Sequence, residues 1–402
     1  MVEPSSVNKT GCLWIVFRAF SGTFAKKIAK LLFMRTFTPV RFVNKDDKEF
    51  IKVLRERVDE YFTSNNISKN ADYRYWIKVF GMLIMYFLPL SVIAFGLFSS
   101  TWMFYFLWII TGFGIAGIGL GVMHDANHGS VSKNMKLNIM LGKLLNVIGG
   151  DALNWKIQHN VLHHTFTNID GYDEDIDPGG TLRFSPHQPM KAGHKFQFIY
   201  AWFLYGLMTI FWITFKDFVQ LARYNKKGLI EAKGTTYSKE LVKMIFNKVL
   251  YYIYVVIIPL LFLPVGEMES VSIGMYISGF LLAHFTAGVT LGAVFQPAHV
   301  VPECEYPLPD ENLSIEGNWA IHQLQTTADF AQENPIINWY VGGLNFQIEH
   351  HLFPTISHVH YKPISKIVKK TAAEFGLPYF TNKTFFGAVF NHGKMLYKLG
   401  RE

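Results

Sequence analysis

Residues 102–128 read WMFYFLWIITGFGIAGIGLGVMHDANH. The stretch from Trp102 to Met123 carries no charge and is long enough to cross a bilayer core, which takes roughly 20 helical residues. The last five residues set His124 and His128 one helical turn apart just beyond it, on one face. Two later segments repeat the arrangement. HNVLHH carries His159, His163 and His164, and QIEHH carries His350 and His351. One HxxxH pair arises by chance on many surfaces. Three clusters beside apolar runs predict a polynuclear metal site at the membrane boundary, because imidazole is a common metal ligand.

The composition agrees with a membrane protein. Half the residues are hydrophobic, 16% are aromatic and 17% are charged, against about 25% charged in soluble domains. The net charge of +8 does not call for nucleic acid. Its lysines and arginines sit between apolar runs, where anionic headgroups and membrane orientation account for them. Two cysteines, Cys12 and Cys304, exclude a disulfide framework and a cysteine-rich zinc site.

Val79–Phe98, Trp102–Met123, Phe198–Phe215 and Val271–Phe295 are long uncharged stretches, and Val249–Val265 is a shorter fifth. Five crossings would leave the third histidine cluster across the membrane from the first two, so one stretch does not span. Between Phe215 and Val249 lie eight basic residues against three acidic ones, which places that loop in the cytoplasm. Val249–Val265 and Val271–Phe295 then form a hairpin around Gly266–Ser270, and Phe198–Phe215 lies at the interface or re-enters. The expectation is an all-α integral membrane fold. Four transmembrane helices in two hairpins carry a cytoplasmic helical cap that holds the histidines.

Residues 1–37 read as a basic amphipathic segment or as sequence upstream of a start at Met34, and 38–78 as a polar cytoplasmic segment. Leu54, Val58 and Phe62 recur there at four-residue spacing. The membrane domain is expected over 79–380, with 381–402 as a C-terminal tail.

His299, four residues beyond Phe295, joins the seven clustered histidines as a candidate ligand. Eight imidazoles exceed the usual four ligands of zinc and suit two ions with open positions, iron, zinc or copper rather than magnesium or calcium. His284 falls mid-span, about 20 Å from His299 by helical rise, and reads as a structural or tunnel-lining hydrogen bonder. His322 reads as a polar interfacial residue, with ligation the alternative. His187, His194, His358, His360 and His392 read as surface or supporting residues. Asp125, Asn127, Asn160, Gln347 and Glu349 are candidates to orient the imidazoles, with solvent-facing or capping roles as the alternative. The acidic run Asp170, Asp173, Glu174, Asp175 and Asp177 reads as a solvated loop, with binding of a metal or a carrier as the alternative. Arg183, Lys191 and Lys195 face either a coenzyme A phosphate or lipid headgroups.

At HDANH, HNVLHH and QIEHH the chain resembles the integral-membrane fatty acid desaturases, whose three histidine boxes these match. Gln347 at the start of the third box is typical of their front-end group, which includes the linoleoyl-CoA (delta-6) type. The similarity extends through LNFQIEHHLFP (344–354) and NIDGYDEDI (168–176). The resemblance implies four long helices under a cytoplasmic cap and a di-iron centre of two non-haem iron ions. It also implies dioxygen as co-substrate and removal of two hydrogens from a fatty acyl-CoA or acyl-lipid chain, with two electrons supplied by a carrier. Such chemistry suits a substrate whose methylene C–H bonds offer no acid or base handle.

Two departures matter. Many front-end enzymes carry a fused cytochrome b5 domain with a His-Pro-Gly-Gly motif. Here only Asp177-Pro178-Gly179-Gly180 occurs, so the electron donor is expected to be separate, ferredoxin-like or cytochrome-b5-like. Gln347 stands where relatives have histidine, and a neutral amide reads as a positioning residue rather than a ligand. A di-iron hydroxylase or a sphingolipid desaturase would share the boxes. A metal transporter or membrane haem protein would need polar groups along the spans, where only His284 lies deep. The expected setting is a bacterial inner membrane, or the endoplasmic reticulum in a eukaryote, with the active site cytoplasmic.

Overall fold

The computed structural model describes residues 37–43, 48–262 and 271–402. The readings for residues 1–36 and for the Gly266–Ser270 turn lie outside the described residues. One compact unit, residues 39–217 and 243–402, carries every candidate ligand; 218–242 belongs to a second.

Helix α1 (Lys48–Ser64) buries Phe50, Leu54, Val58 and Phe62 along one stripe, as the four-residue spacing predicts. Helix α2 (Tyr73–Ala94), capped by the Asp72 carboxylate on the Arg74 N–H, begins inside the segment read as polar. It pairs with α3 (Thr101–Gly117). The Tyr75 hydroxyl donates to the Val122 carbonyl at 2.9 Å, and Gly114 lies against the Tyr86 backbone, so the two helices are antiparallel. Glycine at this crossing lets the backbones approach without a side chain between them. α3 continues through a π-helical turn, Ile118–Val122, into α4 (Met123–His128). Helix α5 (Ala152–Trp155) likewise runs on through a π-helical stretch, Lys156–His163. Such widened turns recur at functional sites.

Helix α6 (Gln197–Phe211) precedes α7 (Tyr237–Tyr252) and α8 (Ile273–Phe295). The Tyr251 hydroxyl meets His284 Nε2 at 2.7 Å and the Tyr276 hydroxyl donates to the Val255 carbonyl at 2.5 Å, so α7 and α8 run antiparallel. α3 and α8 run in the same direction: Gly112 sits on the Ala283 carbonyl, and Gly279 on Trp108. Both therefore deliver histidines at the same end. Among the described residues, five helices are long and apolar enough to cross a membrane: Tyr73–Ala94, Thr101–His128, Ala192–Lys226, Tyr237–Phe262 and Ile273–Ala298. The stretch read as interfacial, 198–215, belongs to one of them.

Beyond α8 the chain forms α9 (Trp319–Thr326), α10 (Gln347–Leu352), α11 (Tyr361–Glu374) and α12 (Phe385–Leu399). The apolar stripe of α1 packs with Leu324, Ile348, Leu352, Ile364 and Val368, which backs the third histidine cluster with a rigid core. Two short parallel ladders pin these segments, β1 (Arg41–Val43) on β2 (Ser314–Glu316) and β3 (Ala328–Phe330) on β4 (Phe380–Asn382). The stretch read as a C-terminal tail is mostly helix α12.

Candidate metal centre

The three histidine clusters and His299 converge. His124, His128, His159 and His350 form one group, His163, His299 and His351 a second, with ring nitrogens within 4.8 Å of one another in each. His164 lies between them, its Nε2 3.2 Å from His159 Nε2 and its ring stacked 4.3 Å from His351. Adjacent histidines serve different groups because neighbours on a helix diverge by about 100°. His350 turns to the first group and His351 to the second.

Four rings, those of His163, His299, His350 and His351, present Nε2 inward and have Nδ1 held from behind, while His159 Nε2 meets Nε2 of His124 and of His164. Nε2 of His128, His163, His299, His350 and His351 finds no hydrogen-bond partner among the described residues, although all five are buried atoms. Behind them, His163 Nδ1 donates to Asp173 at 3.0 Å, His351 Nδ1 to the Gln323 side-chain oxygen at 2.8 Å and His299 Nδ1 to the Thr326 carbonyl at 3.3 Å. His350 Nδ1 meets the Tyr361 hydroxyl at 3.3 Å. A carboxylate or carbonyl on the far nitrogen fixes tautomer and ring orientation for metal binding. Unpaired buried nitrogens cost free energy unless something occupies the space between them. The donor set therefore fits two metal ions.

The electrostatics agree. Burial, reinforced by neighbouring histidines, holds His159, His164, His350 and His351 well below the ordinary imidazole range. Burial and then His163 do the same to His299. These rings stay neutral, the form that ligates. His163 differs: burial pushes it down, but the Asp173 and Asp175 carboxylates outweigh this and raise it.

The supporting residues only partly match the sequence reading. Asp125 has one oxygen 4.0 Å from His124 Nδ1 and the other takes hydrogen bonds from Ser357, the His358 backbone and His358 Nδ1. Among the described residues the Asn127 amide donates to Met123 Sδ and the Gly142 carbonyl, and the Asn160 side chain donates to the Asn127 carbonyl at 2.9 Å, tying the second box to the first. Glu349 points away to Tyr379. Gln347 is fully buried, and neither atom of its amide has a partner among the described residues.

The acidic run is not a solvated loop throughout. Asp173 is buried on His163, and Asp175 stands 3.6 Å from His163 and 3.8 Å from His159. Their side chains turn inward because the Glu174–Ile176 turn, capped by Asp173, folds back on the second box. His358 supports Asp125 and contacts Lys78 at 2.5 Å. His194, His360 and His392 are buried, not surface residues, and only His187 is exposed. His322 is buried beside Phe42, 5.1 Å between ring centres, outside both groups. His284 bonds Tyr251 and Thr209. Gln323, Tyr361 and Asp173 were missed as orienting residues. For the last, its place nine residues past the second box was the available signal.

Comparison with known proteins places the chain in a family. The family model described as fatty acid desaturase matches residues 100–383. The chain is 35% identical to an sn-1 linoleoyl-lipid 6-desaturase of Arthrospira platensis, over 85% of this chain and 89% of that one. A protein of the same description from Synechocystis sp. is 33% identical over 92% of this chain and 99% of its own length. An acyl-lipid (8-3)-desaturase of Physcomitrium patens is 34% identical, covering 90% of this chain and 74% of that one. With apolar helices long enough to span a membrane and a histidine centre at their ends, the chain belongs to the fatty acid desaturase family, membrane oxidoreductases that insert double bonds into acyl chains.

Proposed function

We propose that the protein is a front-end acyl-lipid desaturase whose eight clustered imidazoles hold two non-haem irons. The observation that carries this reading is made at His163, His299, His350 and His351, each with Nε2 unpartnered among the described residues and Nδ1 held from behind. His124, His128, His159 and His350 would hold one ion and His163, His299 and His351 the other, with His164 between. The two ions, when bound, supply the dioxygen chemistry that breaks methylene C–H bonds, with two electrons from a carrier. The protein's own part is placement. Asp173, Gln323, Tyr361 and the Thr326 carbonyl keep the imidazoles of His163, His351, His350 and His299 aimed. Gln347 is assigned a positioning role. The acyl-lipid substrate and the carboxyl-side double bond are supported by the relatives in Arthrospira and Synechocystis, which are described as acting on linoleoyl-lipids.

The membrane arrangement we infer is four spans in two hairpins, with 198–215 not crossing and the centre cytoplasmic under a cap formed by α1 and the segments after α8. Support comes from the path of α6. Tyr205 packs on Gly288 and Gly292, and Thr209 donates to the His284 carbonyl at 2.7 Å. Asp217, farther along the same continuous helix, pairs with Lys248 at 2.7 Å, one turn back from Tyr251, the residue that reaches His284. Contacts of Thr209 and Asp217 at about one level of α7 and α8 support a segment that goes no deeper than His284. The basic residues between Phe215 and Val249 favour the cytoplasmic side, although Lys248 is itself buried on Asp217 and does not count toward that excess.

The test is fatty-acid and intact-lipid profiling of a desaturase-deficient host fed linoleate, with His163→Ala as control. A new double bond on the carboxyl side of the existing ones, found in the lipid fraction and lost in the control, is the expected result. A product that has gained oxygen instead would overturn the reading in favour of a hydroxylase.

A further inference from the structure

Helix α12 is two-faced in a way the metal centre does not use. Its inward stripe is Ala388, His392, Met395, Leu396 and Leu399, all buried. His392 pins it to two apolar helices at once. His392 Nε2 meets the Tyr205 hydroxyl of α6 at 2.7 Å, and His392 Nδ1 donates to the Val300 carbonyl at 2.8 Å, just beyond the end of α8. α12 thus lies across the beginning of one apolar helix and the end of another, at the level of His299.

The outward stripe carries Phe386, 81% exposed, and Phe390, 65% exposed. One and two turns further on come Lys394, Tyr397, Lys398 and Arg401, all exposed. The Arg401 guanidinium lies 3.5 Å from the centre of the Tyr397 ring and 5.5 Å from that of Phe198 at the start of α6, which joins the patch to the outward side chains Ile199 and Phe203 of that helix. Lys195 adds a further cation beside Phe196. Glu402 stands 3.5 Å from Lys398.

We propose that the outer face of α12 is a membrane-surface element that seats its phenylalanines at the acyl boundary and binds anionic lipid headgroups through Lys394, Lys398 and Arg401. Aromatics and cations sharing one face of a helix that rests on the ends of apolar helices are what a charged leaflet selects. An acidic protein would engage the cations, but it gives no reason for the two most exposed rings, the farther of which lies about 18 Å along the helix from Lys398. This goes beyond the catalytic reading and does not depend on it.

The test uses the full chain, with Cys12→Ser, in nanodiscs of phosphatidylcholine alone or with phosphatidylglycerol. Fluorophores are placed by Phe390→Cys and, as a water-facing control on α11, by Lys366→Cys; Cys304 is buried. The label at 390 is expected to be quenched by bromine-tailed lipid and shielded from iodide, with shielding deepened by phosphatidylglycerol. K394E/K398E/R401E should abolish that deepening while metal content stays at the parent level. A label at 390 open to iodide in both lipids, shielding indifferent to phosphatidylglycerol, or shielding that arises only when an acidic ferredoxin is added would each overturn the proposal, the last in favour of a carrier-docking face.

Discussion

His124 Nε2 and His159 Nε2 stand 3.0 Å apart, buried side by side at the meeting of the first and second boxes. Neither ring needs the other for structure, since His159 also stacks on Trp155 with 4.5 Å between centres. Two imidazole nitrogens brought this close, with further orphaned nitrogens around them, make a group that could hold a metal ion.

His299 tests how far that shell extends. It lies outside the three boxes, at the end of α8, with Nε2 unpartnered and Nδ1 on the Thr326 carbonyl. His299→Ala is expected to lower iron below two per chain and to cut activity at least about 100-fold, as loss of a centre's member commonly does. Full iron by elemental analysis of the purified variant would remove His299 from the ligand set.

The boxes, the apolar runs and the amphipathic spacing of α1 could be read directly because each is a local pattern. The residues that aim the rings could not. Gln323 reaches His351 and Tyr361 reaches His350 only after α9, α10 and α11 have packed. Asp173 sits in an acidic run that looks like any hydrated turn until Glu174–Ile176 folds it against His163. The segment 198–215 shows a different limit. Composition says it can cross a membrane, and only its contacts with His284 and Lys248 describe its path. For α12 the signal was present in the buried spacing of residues 388, 392, 395, 396 and 399, but the outward phenylalanines blur the polar face that would have marked it as a helix in water.

Asp173 offers a conservative probe of ring placement. Its carboxylate takes His163 Nδ1 at 3.0 Å and the Asn168 N–H at 2.9 Å. Asp173→Asn keeps the shape and removes the charge. Metal affinity should fall about 10- to 100-fold, read by competition with a chelator; unchanged affinity would mean the carboxylate only shapes the turn.

Gln347 separates positioning from ligation. Its buried amide has no partner among the described residues, and each such unpaired group costs about 1–3 kcal/mol, so it faces something the fold itself does not supply. Gln347→Ala should lose most activity while keeping two irons per chain. Loss of one iron would instead make the amide oxygen a ligand.

The Lys248–Asp217 pair should dominate stability near the second box. Lys248 Nζ bonds Asp217 at 2.7 Å and the Gly149 carbonyl at 3.0 Å, while Trp212 donates to the other Asp217 oxygen at 2.8 Å. Lys248→Met leaves a buried carboxylate uncompensated and should cost about 3–5 kcal/mol. The double variant with Asp217→Asn should recover most of it. Thermal melts in detergent decide, and equal losses in single and double variants would show that packing, not charge, is at stake.

Asp329 and Glu349 form a buried carboxylate pair bridged by the Tyr379 hydroxyl, 2.7 Å from Asp329 and 3.0 Å from Glu349. Burial raises both, and for Glu349 the Asp329 charge adds to it, so the pair keeps a proton where separate carboxylates would be ionised. A carboxyl raised on folding contributes stability that is whole below its unfolded value, about 4, and is lost as pH rises through the folded value. The metal-free protein should therefore melt at progressively lower temperature as pH rises from about 4 toward neutrality. Glu349→Gln removes one charge of the pair and lets the amide donate to Asp329, so its melting curve should be flatter over that window. The difference between the two profiles is the observable, because other groups titrate in both. Parallel profiles would mean that the two carboxyls do not share a proton.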